Sequence, residues 1–181
     1  MEFLQVSKNQ KKILTPVFRV SFPALFEPTE FQGKKKYSVT MLFDKSADLT
    51  EIKAAINQAI REQWPTKVPP NLRNPLRDGA EKPDLDGYDG CLFIKASSTT
   101  RPGVVDQDCK EIIDSAEVYA GCFARATIVP FAYDLKETGA RGVSFLLSNV
   151  QKVDDGDSFS GRGRASDDFQ PIAREESDIF A

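Results

Sequence analysis

The sequence predicts a small, mainly β domain of about five strands with one helix, and three observations carry that expectation. Strand-like apolar patterning recurs in five stretches, only one stretch repeats at helical spacing, and a proline- and glycine-rich segment separates that helix from the later strands. At 181 residues the chain suffices for one well-buried domain plus appendages.

In residues 17–22, Phe18, Val20 and Phe22 fall on one face and Val17, Arg19 and Ser21 on the other, the alternation of a half-buried strand. Tyr37, Val39, Met41 and Phe43 repeat it opposite Lys36, Ser38, Thr40 and Leu42. Between the two, residues 27–36 hold Pro28, Gly33 and a lysine triplet, which predicts a hairpin-like basic loop. Residues 48–64 predict the helix: Ile52, Ala55, Ile56, Ala59 and Ile60 share a face, Ser46 and Asp48 are N-cap candidates, and Pro65 follows the end. Residues 65–90 contain Pro65, Pro69, Pro70, Pro75 and Pro83 with Gly79, Gly87 and Gly90, and predict a long ordered loop of the kind that usually serves function. Strand patterning resumes at residues 91–97, 121–133 and 142–153, with a weaker signal at Val104 and Val105 and a turn-rich connector at 134–142. These elements suit a small barrel or sandwich, and the OB-fold is one such architecture. From Asp154 acidic and small residues dominate, so one domain is expected over residues 1–153 and a flexible acidic tail over 154–181.

Charge divides at the same boundary. The first 153 residues carry 21 Lys and Arg against 19 Asp and Glu, whereas the rest carries 3 Arg against 8 carboxylates, so the overall −3 belongs to the tail. Residues 1–43 are locally basic, through Lys8, Lys11, Lys12, Arg19, Lys34, Lys35 and Lys36 against Glu2, Glu27 and Glu30. A near-neutral body with a basic face and a detached acidic segment fits an electrostatic nucleic-acid binder. There is no apolar run of membrane-spanning length and no signal-peptide core, so a cytoplasmic protein with no membrane partner is expected.

Catalysis finds little support. Cys91, Cys109 and Cys122 share no metal-ligand spacing, and the absence of histidine removes the usual completion of a zinc site and the commonest general base. Asp84, Asp86 and Asp89 fail the calcium-loop pattern, because Asp89 stands where glycine is required and Lys95 where glutamate is required. Pro83 and Asp84 with Ile94 and Lys95 imitate a metal-dependent nuclease motif, but Phe93 occupies the place of its second carboxylate. A non-enzymatic protein without cofactors is expected.

Two strands instead pair an aromatic ring with a cation on the face opposite their core residues. Phe93 and Lys95 lie opposite Leu92, Ile94 and Ala96; Phe123 and Arg125 lie opposite Cys122, Ala124, Ala126 and Ile128. Bases of a single strand stack on such rings, at about 1–3 kcal/mol each, while cations follow the phosphates. The competing expectation is that both rings are buried under the helix or a loop. Lys34, Lys35, Lys36 and Arg101 sit beside predicted strand ends, and Arg77 and Lys82, with Arg73, make the long loop basic; the triplet, Arg77, Lys82 and Arg101 are further phosphate candidates.

Three segments, PLRDGAEKPDLDGYDGCLFIKASS at 75–98, VYAGCFARATIVPFAY at 118–133 and GVSFLLSNVQKVDDGDSFSGRGRASDDF at 142–169, resemble a family of phage and prophage proteins similar to the replication single-stranded DNA-binding proteins of the T-odd coliphages. The resemblance spans roughly residues 8–169. It implies an OB-fold, sequence-tolerant binding of single strands, and work in replication and recombination. The final EESDIFA resembles the acidic aromatic tips of bacterial and phage single-stranded DNA-binding proteins. By that resemblance Glu175, Glu176 and Asp178 supply charge and Ile179 and Phe180 the apolar anchor for a polymerase, helicase, primase or recombinase, with Ala181 following the ring. The expectation is thus an OB-like five-stranded barrel with one helix and a long loop. It would coat single-stranded DNA in the host bacterial cytoplasm, as a monomer or homodimer, and recruit replication proteins through its tail. The rival from another class is a phage adaptor whose tail binds a protein partner while its body contacts no nucleic acid.

Overall fold

In the computed structural model of the chain, residues 12–159 and 168–173 are described. Its described strands are β1 (Ile13–Leu14), β2 (Phe18–Phe31), β3 (Lys34–Asp44), β4 (Arg77–Asp78), β5 (Cys91–Ser98), β6 (Gly103–Val105), β7 (Phe123–Leu135) and β8 (Ala140–Asp154), and its α-helix is α1 (Thr50–Gln63). The long strands pair β2 to β3, β3 to β5, β5 to β8, β8 to β7 and β7 back to β2, which closes a five-stranded barrel. Only the β5–β8 pairing within that ring is parallel. The closed sheet with one helix is the OB-like architecture expected from the sequence.

Period-two alternation fills the barrel. Val39, Met41 and Phe43 of β3, Ile94 and Ala96 of β5, and Ala124, Ala126 and Ile128 of β7 are all buried. Phe18 meets Phe43 edge to face with ring centroids 5.8 Å apart, beside the fully buried Phe145 of β8. Burying one such side chain contributes roughly 1.5–3 kcal/mol, so these three rings anchor the closure. Helix α1 packs against β7 and β8 and buries Ile52, Ile56 and Ala59. Leu49 holds its N-cap position without a side-chain cap bond, so neither Ser46 nor Asp48 is the cap expected; the Asp48 carboxylate instead accepts from the Thr50 N–H, at 3.1 Å, and from the Thr50 hydroxyl, at 2.6 Å. Those two hydrogen bonds, the hydroxyl first, hold the Asp48 carboxyl below its ordinary pKa.

Three further features depart from the sequence reading. Residues 27–36 are mostly strand, not loop: β2 and β3 continue as a two-stranded arm, with Glu30 opposite Lys35 and Phe31 opposite Lys34. Its turn is only Gln32 and Gly33, both at positive φ (50° and 76°), the backbone of a two-residue hairpin turn whose twist matches the strands. Secondly, Phe22 leaves the core face to which alternation assigns it and is 61% exposed, because the β2–β3 register shifts between Ser21 and Ala24. Thirdly, the other face of β3 is also covered in part: Leu42, Thr40 and Ser38 are buried.

The covering element is the long segment after α1. Arg73 bridges Gly142 of β8, with Arg73 N–H donating to the Arg141 carbonyl at 2.8 Å. A Cβ at Gly142 would lie 2.6 Å from the Arg73 carbonyl oxygen, so glycine is what permits this approach. Next, β4 pairs with β5, setting Arg77 opposite Phe93. Finally Tyr88 is buried and hydrogen-bonds Ser21 of β2 through its hydroxyl at 2.9 Å. The segment thus wraps from β8 over β5 to β2. Beyond Val153 the chain remains packed on the body through Phe159, whose N–H donates to the Ala120 carbonyl.

Candidate nucleic-acid interface

The outer face of β2, β3 and β5 reads directly from the strand register. Arg19 stands opposite Leu42, Leu42 opposite Phe93 and Phe93 opposite Arg77, so these four share one row across the sheet. Ser21, Thr40 and Lys95 form the next row. The first row is roofed, and the roof reaches the second through Tyr88 on Ser21, so that Ser21 and Thr40 are buried and Lys95 is exposed. Tyr88 packs edge to face on Phe93 with centroids 5.2 Å apart, and together with Leu42 they form a small apolar cluster that Phe159, Leu85 and Cys91 border. Burial pushes the Cys91 thiol above its ordinary pKa, with the nearby Asp44 carboxylate adding to it.

Where the roof ends, two hollows open side by side. The first, of about 400 Å³, has Phe22, Thr40 and Lys95 from the barrel, and Tyr133, Val143 and Ser144 from β7 and β8. Its far wall is the long segment, through Arg73, Asn74, Pro75, Arg77, Lys82 and Leu85. The second, of about 440 Å³, lies under the β2–β3 arm, where Phe31, Lys34 and Lys36 overhang Ser38, Ser97 and Ser144. Lys95 and Ser144 border both, so the hollows form one groove from the arm to the long segment. Among the described residues six cations line it (Lys34, Lys36, Arg73, Arg77, Lys82 and Lys95), and no carboxylate does. Arg77 is partly engaged elsewhere: it pairs with Glu81 at 2.7 Å and lies 5.2 Å above the Phe93 ring.

Such a groove offers flat apolar surface between two positive walls, on the face and beside the first hairpin loop that OB-folds use for oligonucleotides. The comparisons with known proteins point the same way. The family model described as Enterobacter phage Enc34, ssDNA-binding protein, matches residues 11–180. The chain belongs to this family. Protein p50 of Acyrthosiphon pisum secondary endosymbiont phage 1 is 37% identical over 179 residues, covering 90% of this chain and 95% of that one. The single-stranded DNA-binding protein from bacteriophage Enc34, solved in complex with ssDNA, superposes with a TM-score of 0.70 at 27% identity, over 82% of this chain and 89% of that chain. The bacteriophage T7 protein gp2.5 shares the fold, with a TM-score of 0.61 at 15% identity over 88% of this chain and 92% of that chain.

Within this phage family fold, the residues singled out from the sequence divide. Lys34, Lys36, Arg77, Lys82 and Lys95 line the groove. Phe93 borders the first hollow but is only 6% exposed, so its ring braces the floor instead of offering a face for stacking. Lys35 points away from its two neighbours, opposite Glu30, because the triplet is strand and alternates. Arg101 is set over the Phe26 ring at 5.5 Å and does not line the groove. Phe123 and Arg125 do not line it either. Phe123 lies beside Arg19, whose guanidinium is 5.7 Å from its ring, and under Gly156; Arg125 donates to Gln151 Oε1 at 2.7 Å. The tail residues Glu175, Glu176, Asp178, Ile179 and Phe180 lie outside the described residues.

Among the lining residues that had no place in the expected contacts are the rings of Phe22, Phe31 and Tyr133 and the guanidinium of Arg73. Arg73 was visible as a basic residue of the long loop. Phe22 and Phe31 carried no signal of their own, since the first looked like core and the second like loop.

Proposed function

We propose that the protein binds single-stranded DNA along this groove, without strong sequence preference. It thereby protects exposed strands during phage replication and recombination. The observation that carries the reading is the continuous groove on the barrel face, with six lining cations and no lining carboxylate among the described residues, in a chain of this family. Cations on both walls suit a polyanion that runs lengthwise, and the exposed rings of Phe22 and Phe31 suit unpaired bases, which a duplex keeps stacked inside. The protein acts by binding and not by catalysis. Its acidic C-terminal segment recruits replication or recombination proteins in the host cytoplasm, with Ile179 and Phe180 as the apolar anchor.

A titration of labelled oligothymidylate, duplex DNA and RNA at several salt concentrations tests the reading. Single-stranded DNA should bind in preference to duplex, with a slope of log affinity against log salt of about −3 to −4, from some 0.7 per phosphate contact. Absence of salt-dependent retention on single strands, with partner proteins still captured by the C-terminal segment, would assign the chain to the adaptor class instead.

A further inference from the structure

Phosphate contacts account for the cations of the groove but not for Phe22. Its φ is 43°, in the left-handed region that a bulky aromatic residue avoids, and it precedes Pro23, which itself favours extended backbone at the preceding position. The chain adopts this conformation at the register shift between Ser21 and Ala24. The consequence is a ring turned out of a core that Phe18 and Val20 on the same strand fill, and into the wall of the first hollow. Strain that exposes a large apolar side chain does nothing for packing. It is the pattern of a residue held for a ligand.

The rest of the hollow states what that ligand must be. Tyr133, Leu85 and Pro75 add flat or apolar surface, and its volume of about 400 Å³ falls in the range of small-molecule pockets. Its uncharged polar groups are few: the hydroxyls of Thr40, Ser144 and Tyr133, that of Tyr88, which already bonds Ser21, and the amide of Asn74, whose Oδ1 already accepts from the Leu76 N–H at 3.0 Å. Arg73, Arg77, Lys82 and Lys95 lie around these groups, and among the described residues no carboxylate lines the hollow. A flat heteroaromatic group with hydrogen-bonding edges and an anionic link on either side satisfies all of these at once.

We infer that this hollow is a nucleotide pocket, which takes one unstacked base of the bound strand against the Phe22 ring. The neighbouring phosphates rest on Arg73 and Lys95. From Lys95 and Ser144, which border both hollows, the strand continues beneath the arm toward Lys34 and Lys36. The inference rests on the single-strand reading above and adds to it a fixed register: one nucleotide is held differently from the others.

The test uses the full chain and the shortest oligothymidylate that retains full affinity, with a single abasic residue placed at each position in turn. One position should stand out, its base loss weakening binding about tenfold, within the range for one stacked base. Phe22→Ala should weaken the intact oligonucleotide by about the same factor and remove the penalty at that position. Phe22→Gly supplies the control for folding, because glycine accepts the positive φ: the thermal midpoint should hold or rise while affinity falls. A flat abasic scan, or a Phe22→Ala protein of unchanged affinity, overturns the pocket. So does a Phe22→Gly protein that melts early yet binds normally, since the ring is then structural. If the wild-type protein binds none of the oligonucleotides, the single-strand reading itself has failed.

Discussion

Strands β5 and β7 each carry the same local signature, an aromatic ring two residues before a cation on the face opposite the core: Phe93 with Lys95, and Phe123 with Arg125. The structure treats them oppositely. Lys95 stands at the junction of the two hollows, with Phe93 locked beneath Arg77 and against Tyr88 as a brace for the floor. Arg125 is held by Gln151 of β8, and Phe123 is half-buried between Arg19 and Gly156. Alternation decides whether a side chain points into the barrel or out of it. It does not decide which flank of the closed wall the side chain reaches, or what is laid across it. Closure by β7–β8 and β5–β8 pairing and the path of the long segment fix both.

The largest expected difference is in stability. Phe93→Ala removes a ring that is 6% exposed from a small apolar cluster, and should cost about 3 kcal/mol in urea unfolding. Phe123→Ala, at a half-buried position, should cost about 1 kcal/mol. Should Phe93→Ala unfold like the wild type while losing DNA affinity, the roof over the first row is open in solution and the ring is a stacking platform after all.

Affinity should separate the two strands in the same order, through their cations instead of their rings. Lys95→Ala should weaken oligothymidylate binding by about 1.5 kcal/mol, the scale of a hydrogen bond to a charged group, and Arg125→Ala should leave it unchanged. Equal losses in the two variants, measured by anisotropy at one salt concentration, would mean that the bound strand wraps past the groove onto β7.

How much of this was legible follows from which residues reach far. The five long strands were, since each carries its own alternation, and so was α1, from the repeat of Ile52, Ile56 and Ala59. The lysine triplet was visible as charge but misread as loop, because Pro28 and Gly33 mimic loop punctuation while Glu30, Phe31, Lys34 and Lys35 pair as strand. That difference makes a sharper prediction. Neutralising Lys34 and Lys36 together should reduce the salt slope by about 1.4, and neutralising Lys35 should not change it. A loop would give all three lysines comparable effects. Phe22 was illegible because a register shift is set by two strands jointly, and Arg73 because its position depends on Gly142 of β8, far along the chain.

The smallest effect expected is also the most local, and the cysteines report it. Cys91 opens β5 beneath the long segment and is partly exposed; Cys122 precedes β7 and is wholly buried; Cys109 is exposed. Burial raises the Cys91 and Cys122 thiols above the ordinary cysteine pKa, so at pH 8 each is less ionised than a free thiol and alkylation should keep accelerating as the pH rises beyond that value. Labelling should therefore proceed in the order Cys109, Cys91, Cys122. Phe93→Ala loosens the roof against which Cys91 packs and should speed Cys91 labelling a few-fold through local opening, whereas the buried Cys122 is reached when the barrel unfolds, so its rate should follow the loss of unfolding free energy measured in urea. If the Cys91 rate also follows that loss in full, its cover opens only with the whole barrel; a Cys91 acceleration well short of the one at Cys122 means that the cover over β5 opens as a unit of its own, separately from the wall that carries Phe123 and Arg125.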